Sequence, residues 1–409
     1  MKAIRFNLTI PRYLTGLLLG KISPGFYWSG LSCTTFVDIP EPEIIGDEWI
    51  VIRTHYGGIC GSDMSAIHLH ASPYLTPLMS SPFTFGHENI GVIARTGSAV
   101  DQFREGERVV VEPTLWCRPR GFADLCPYCQ RGETNRCERV IEGDLSPSLS
   151  IGFSKDTGGS WSPYFLAHQS QLYRIPDTVN DENGLMVEPF ATGIHAVLKN
   201  PPSENDLILI IGAGTIGLCT LAAMRASGFK NRIHVLARYP FQAESAHKLG
   251  ADEVILTSGE IDYYKEISQL SGAKILEPIV GKRLLLGGYD KVYECVGSDT
   301  TLDDALRFTR NGGLVVLVGV PGVAKNVDWS AIFIHELRLK SSYIYNHAEV
   351  FNGRQRSTFD IAIDWMAEGR VDLGWMVTHR FKIEDYRRAF TLQSKRAENQ
   401  SIKTIFEFN

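Results

Sequence analysis

The chain has 409 residues, 44% of them hydrophobic and 21% charged, with a formal net charge of -5. That length allows two domains, and the balance of apolar and charged residues excludes wholesale disorder. The slight acidity gives no reason to expect a nucleic acid or an anionic membrane as partner, and no apolar run approaches the length of a bilayer span.

In chain order, the first feature is the run Leu14-Thr-Gly-Leu-Leu-Leu19. It is too short for the apolar part of a secretory signal, has prolines on both sides and lacks a small-residue cleavage site. It reads as part of the folded protein, and the protein as cytoplasmic. From there to about Asn180, short β-type runs alternate with turn residues: Trp49–Thr54, Ile90–Arg95, Glu107–Glu112 and Gln171–Ile175. This predicts a mainly antiparallel, barrel-like domain. The character changes near Asn183, where Leu185–Leu198 reads as a helix. Strands are then predicted at Leu207–Ile211, Arg232–Leu236, Glu253–Leu256, Lys291–Cys295 and Leu314–Val318, with helices at Ile216–Ser227 and Phe241–Leu249. That βαβ rhythm predicts an α/β fold with a doubly wound parallel sheet. Ile267–Gly288 is longer than a simple connection and reads as an insertion. A helix at Ser357–Glu368, a strand at Val377–Phe381, a helix at Ile383–Leu392 and a strand at Ile402–Phe406 close the chain. The expected domains are 1–184 and 347–409, forming one discontinuous domain, and 185–346.

Four groups of residues carry chemistry. The buried run Leu207–Ile211 leads into Gly212-Ala-Gly214-Thr215-Ile216-Gly217 and then a helix. Glycines on such a strand-to-helix turn allow a tight bend, close approach of a pyrophosphate, and close packing of helix on strand. Upstream lie Gly58-Ile-Cys60-Gly-Ser62-Asp63 and Gly86-His87-Glu88. Cysteine, histidine and glutamate all ligate zinc, and a catalytic zinc needs three protein ligands and an open position. Taken singly, a cysteine such as Cys60 is more often a buried thiol and a histidine such as His87 more often a satisfied loop residue. The third group is Cys117-x8-Cys126-x2-Cys129-x7-Cys137, half of the eight cysteines. Clustering in a large chain suggests metal before disulfides, with a Pro- and Gly-braced loop as the plainer alternative. Cys33, Cys219 and Cys295 read as core residues. Last, the second Rossmann-type strand ends Ala237-Arg238, where an NAD enzyme usually carries a carboxylate for the ribose 2′-hydroxyl. An arginine there suits the 2′-phosphate of NADP. The plainer alternative is a solvated arginine with tolerant use of NAD.

The motif Gly86-His87-Glu88-x2-Gly91-x5-Gly97-x2-Val100, with Cys60-Gly-Ser62-Asp63, the cysteine lobe and the glycine turn, resembles the medium-chain, zinc-dependent alcohol dehydrogenase superfamily. Within it the chain is most similar to polyol, threonine and sugar dehydrogenases, glucose dehydrogenases in particular. The resemblance implies a GroES-like catalytic domain beside a Rossmann domain. It implies a catalytic zinc on Cys60 and His87, with Glu88 or Glu188 as third ligand. A carboxylate at a helix N-terminus is the plainer reading of Glu188. Asp63 would fix the tautomer of His87, and Ser62 would take the substrate proton. Ser65 stands where the family often has a relay histidine, and His68 and His70 are out of register. Cys126, Cys129 and Cys137 match the family's structural-zinc lobe, whereas Cys117 lies earlier than the usual first ligand, at a place where Ala123 stands. Val296 and Gly319 fall in the later cofactor-binding segments. Trp116, Phe153 and Trp161 are candidate pocket walls or core. The implied reaction is hydride transfer between NAD(P) and an alcohol, polyol or sugar, in a homo-oligomer, dimer or tetramer. Zinc-free quinone or enoyl reductases are one alternative, and a zinc-stabilised dinucleotide-binding regulator is another.

Overall fold

A computed structural model describes residues 1–408. It divides into two compact units. The first comprises Met1–Glu188, Asn346–Ala348 and the tail from Phe359; the second comprises Pro189–Tyr345 and Glu349–Thr358. Among the described residues no helix is long and apolar enough to cross a membrane.

The first unit is organised by one long strand, Trp49–Ile59, in a seven-stranded sheet. Its first half pairs antiparallel with Tyr164–His168, and its second half with Lys403–Glu407 from the tail. Asn89–Thr96 runs along its other edge, with register shifts at Val51/Ile52 and Thr54/Tyr56. Such irregularities bend a strand and raise its twist, so one strand can serve two parts of a curved sheet. Inward residues Ile50, Ile52, Ile93, Val109, Val111 and Phe165 form one buried core. A second core, around Phe83, Phe85, Trp161, Phe390 and Phe406, lies under the tail.

The N-terminal segment also folds. Lys2–Phe6 pairs antiparallel with Thr34–Asp38, and the intervening residues form helix α1 (Ile10–Leu19) and a short 3-10 turn, Pro24–Trp28. Thr9 caps α1, and Pro11 occupies its first turn, where no backbone donor is lost. The helix rests on its small residues. A Cβ on Gly16 would stand 2.4 Å from Ser32 Oγ, and one on Gly20 would stand 2.2 Å from the Tyr27 ring.

The second unit is a six-stranded, wholly parallel sheet. Its spatial order is Glu253–Leu256, Ile233–Ala237, Ile208–Ile211, Tyr289–Glu294, Thr309–Leu317, Arg338–Ser341. In chain order that is third, second, first, fourth, fifth, sixth, the doubly wound arrangement with its reversal between the first and fourth strands. Ile208–Ile211 is buried throughout, as a central parallel strand covered on both faces must be. The insertion expected at 267–288 resolves into the end of a helix, Tyr263–Ser271, and a hairpin, Lys274–Leu276 with Leu284–Leu286. Ala273 and Leu285 anchor it in the core, with Ile275, the partner of Leu285 across the hairpin, packed against the same core.

Candidate active site and metal centres

In the first unit the Trp49–Ile59 strand delivers Cys60 to the start of helix α2 (Gly61–Ile67). The Asp63 side chain closes that start by accepting from the Cys60 backbone N–H at 2.9 Å. Its other oxygen lies 3.3 Å from His87 Nδ1. One carboxylate therefore fixes both the cysteine's loop and the imidazole's orientation, leaving Nε2 turned the other way. Ser62 Oγ is 3.4 Å from that Nε2 and is exposed. Burial disfavours a charged His87, but the Asp63 carboxylate and the Cys60 thiol outweigh it, so the ring's pKa stands well above its ordinary value.

Ligand atoms of Cys60, His87 and Glu88 all lie within 4.8 Å of one another. A thiolate, an imidazole and a carboxylate gathered around one point are a donor set that suits zinc. Glu88 is not idle, however. Both its oxygens accept from Lys403 Nζ, at 2.7 and 2.6 Å, and the pair is almost wholly buried. Gly58 makes room for it, since a Cβ there would stand 2.1 Å from Glu88 Oε2. Desolvation works against the Lys403 charge, but Glu88 and Cys60, then Glu188, raise its pKa. Buried Glu188 is thus within electrostatic reach of the same lysine. Arg396 also senses Cys60 and Glu88. Sequence reading named neither Lys403 nor Arg396. Lys403 stands in a predicted strand beside Ile402, and a lone basic residue there gives no sign of facing inward.

Other candidates separate. His68 packs edge-on against Tyr27 and Trp28, and burial lowers its pKa, so it serves the core. Trp161 is fully buried and donates to Gly58 O at 2.8 Å; it is core, not wall. Trp116 packs edge-on against His347. Phe153 lies beside the His87 ring, centroids 5.7 Å apart.

The second metal candidate is the cysteine lobe. Cys117, Cys126, Cys129 and Cys137 are all buried, with their sulfurs within 4.8 Å of one another. Cys117, out of the expected spacing, is 3.6 Å from Cys137 and accepts from the Cys126 N–H. The 118–124 loop brings it round. Cys137 is pulled down to about 6 by hydrogen bonding to Cys129, while burial pushes Cys117 up to about 11. Four crowded sulfurs with no fifth position suit a structural zinc. Arg120, fully buried, laces this lobe together by donating to the carbonyls of Leu115, Glu142, Leu145, Ser146 and Ser148.

In the second unit Gly212 sits at φ +98°, and a Cβ on Gly217 would stand 1.7 Å from Gly212 O. Helix and strand can meet this closely only through glycine. Gly214 caps the Thr215–Ala226 helix and has open space where a Cβ would be, which leaves its backbone approachable. Gly212–Gly217, Arg238, Val296 and Gly319 each follow the C-terminal end of a parallel strand. This is where open α/β sheets bind ligands, and the glycine cradle and helix N-terminus fit a dinucleotide. Buried Glu294 accepts from the Val296 and Gly297 N–H groups and so shapes the neighbouring turn. Arg238 is exposed beside Tyr239 and has no carboxylate partner among the described residues.

Comparison with known proteins agrees with this geometry. Residues 46–177 match the alcohol dehydrogenase GroES-like domain, and 215–368 match the zinc-binding dehydrogenase domain. The chain is 29% identical to the sorbitol dehydrogenase of Bacillus subtilis over 90% of its own length and 92% of the relative's. It is 29% identical to the L-idonate 5-dehydrogenase of Vitis vinifera, covering 88% of each. Among solved structures, a zinc-binding dehydrogenase from Sinorhizobium meliloti bound to NADP superposes with a TM-score of 0.69 at 26% identity, over 92% of this chain and 95% of that one. The protein belongs to the zinc-dependent medium-chain alcohol dehydrogenase superfamily, in its polyol-dehydrogenase-like branch, and is an alcohol or polyol dehydrogenase of the zinc- and NAD(P)-dependent type.

Proposed function

We propose that this enzyme oxidises a secondary hydroxyl of a polyol or sugar with NADP as preferred acceptor, and reduces the carbonyl in reverse. The observation that carries the reading is the convergence of Cys60, His87 and Glu88, with Asp63 behind His87. Cys60 and His87 would hold the catalytic zinc with Glu88 or Glu188, and Cys117, Cys126, Cys129 and Cys137 the structural one. When bound, a catalytic zinc supplies the Lewis acidity that lowers a hydroxyl's pKa. Ser62 takes the substrate proton, and its exposure supports direct release of that proton to solvent without a relay histidine. Asp63 keeps His87 in the ligating tautomer. Residues 185–346 are the cofactor domain, and 1–184 with 347–409 are the catalytic domain.

Support for a polyol or sugar substrate comes from the sorbitol and L-idonate dehydrogenases among the relatives. Support for NADP comes from Ala237-Arg238 and from the NADP-bound neighbour. A homo-oligomer is supported by the exposed edge strand Arg338–Ser341 beside exposed Trp329, Phe333 and Ile334. The test is zinc content per chain together with steady-state kinetics on sorbitol, idonate, arabitol and glucose with each cofactor. Two zincs, falling to one in Cys126→Ser, are expected, with turnover lost in Cys60→Ala and His87→Ala while cofactor binding survives. Arg238→Ala should raise KM for NADP about tenfold and leave that for NAD unchanged. A native preference for NAD would sink the cofactor assignment.

A further inference from the structure

We propose that α1 is a docking element that lays this enzyme on an anionic lipid surface. The helix is packed inside out. Its glycines and the ring of Tyr13 face the protein, whereas Ile10, Leu14 and Leu18 stand outward at 77%, 51% and 68% exposure. Ile22, 75% exposed, follows in the turn just after the helix. A solvated helix face is ordinarily polar, and a single exposed leucine needs no explanation, but a continuous aliphatic ridge does. At 1.5 Å per residue the ridge from Ile10 to Leu18 runs about 12 Å, far short of a span and suited to lying in the plane of an interface. It lies ahead of the residues matched by either dehydrogenase domain.

Charge identifies the occupant. The chain as a whole is acidic, yet its first 37 residues hold no Asp or Glu and four basic residues, of which Lys2 is paired with Asp38 and Arg5, Arg12 and Lys21 are not paired with a carboxylate among the described residues. Residues 64–87, which include exposed Tyr74 and Leu75, also hold no acidic residue. This second stretch adjoins the helix, since Leu69 packs against Gly16. Arg12 donates to the carbonyls of Gly30 and Ser32, and Arg5 to that of Pro82. Their partners are neutral, so the positive charge around the ridge persists. Lys21 has no carboxylate partner among the described residues. A second copy of this chain would set like charges against each other across a two-fold contact. A leaflet containing anionic lipid attracts the cations and receives the aliphatic ridge.

The test is flotation of the full-length protein with phosphatidylcholine vesicles and with vesicles containing phosphatidylglycerol. Binding to the anionic vesicles at least about tenfold stronger, and weakening with salt, is expected. Leu14→Asp/Leu18→Asp should abolish flotation and Lys21→Glu should weaken it, with unchanged circular dichroism and unchanged turnover in solution. Absence of flotation with anionic vesicles overturns the proposal, as does flotation that survives the double substitution. A change of oligomeric state in the double variant, with no flotation by either protein, overturns it in favour of a second copy.

Discussion

Replacing Lys403 with methionine keeps the volume of its stem and removes the cation that touches both oxygens of Glu88. Glu88 and Lys403 are 1% and 2% exposed, so solvent cannot take the ammonium's place. Breaking a buried ion pair by deleting one partner costs about 3–5 kcal/mol. In the native protein Glu88 and Cys60 raise the Lys403 pKa against desolvation, so the pair's contribution is complete at pH 7 and fades only as pH rises above the ordinary lysine range. Urea unfolding at pH 7 measures the loss, and Glu88→Gln/Lys403→Met should recover at least half of it. A loss under about 1 kcal/mol would refute the reasoning.

Arg120→Ala strands five carbonyls at once and should cost at least about 3 kcal/mol, releasing zinc from the cysteine lobe; Arg120→Lys should rescue little, having too few donors. Melting temperature and zinc content read both effects. Gly217→Ala must push its helix off Gly212 O, so affinity for the nicotinamide cofactor should fall at least about a hundredfold with zinc content unchanged, as followed by cofactor fluorescence. For His347, burial disfavours the charge but the Glu112 carboxylate at 2.6 Å raises the pKa. The pair's contribution to stability is complete below the unfolded value near 6.5 and is lost as pH rises through the folded value. His347→Leu should therefore flatten the stability profile above about pH 6.5, and a steeper profile would contradict the assignment.

What the sequence determined by itself lies within a few residues of chain. The glycine turn, the Gly86-His87-Glu88 motif, the cysteine lobe and the alternation of buried strands with helices are local patterns, and local geometry makes them legible. Val377–Phe381 has the predicted bounds, and most Rossmann elements fall within a residue or two of theirs. The fifth strand begins five residues early, at Thr309, because Thr309 pairs with Tyr289 ahead of a register shift, and regular pairing resumes only at Leu314. Tertiary structure decided the rest. Lys403 meets Glu88 across 315 residues, and only the return of the tail onto the Trp49–Ile59 strand brings them together. Cys117 joins the other cysteines through a loop whose path its spacing does not reveal. Arg120 has the composition of a surface residue, yet it is buried because five backbone carbonyls need its donors. Leu14 and Leu18 of α1 look like core, yet they face outward because glycines on the opposite side allow the closer approach. In each case burial is settled by which surfaces can pack, and packing is a property of the folded chain rather than of any window within it.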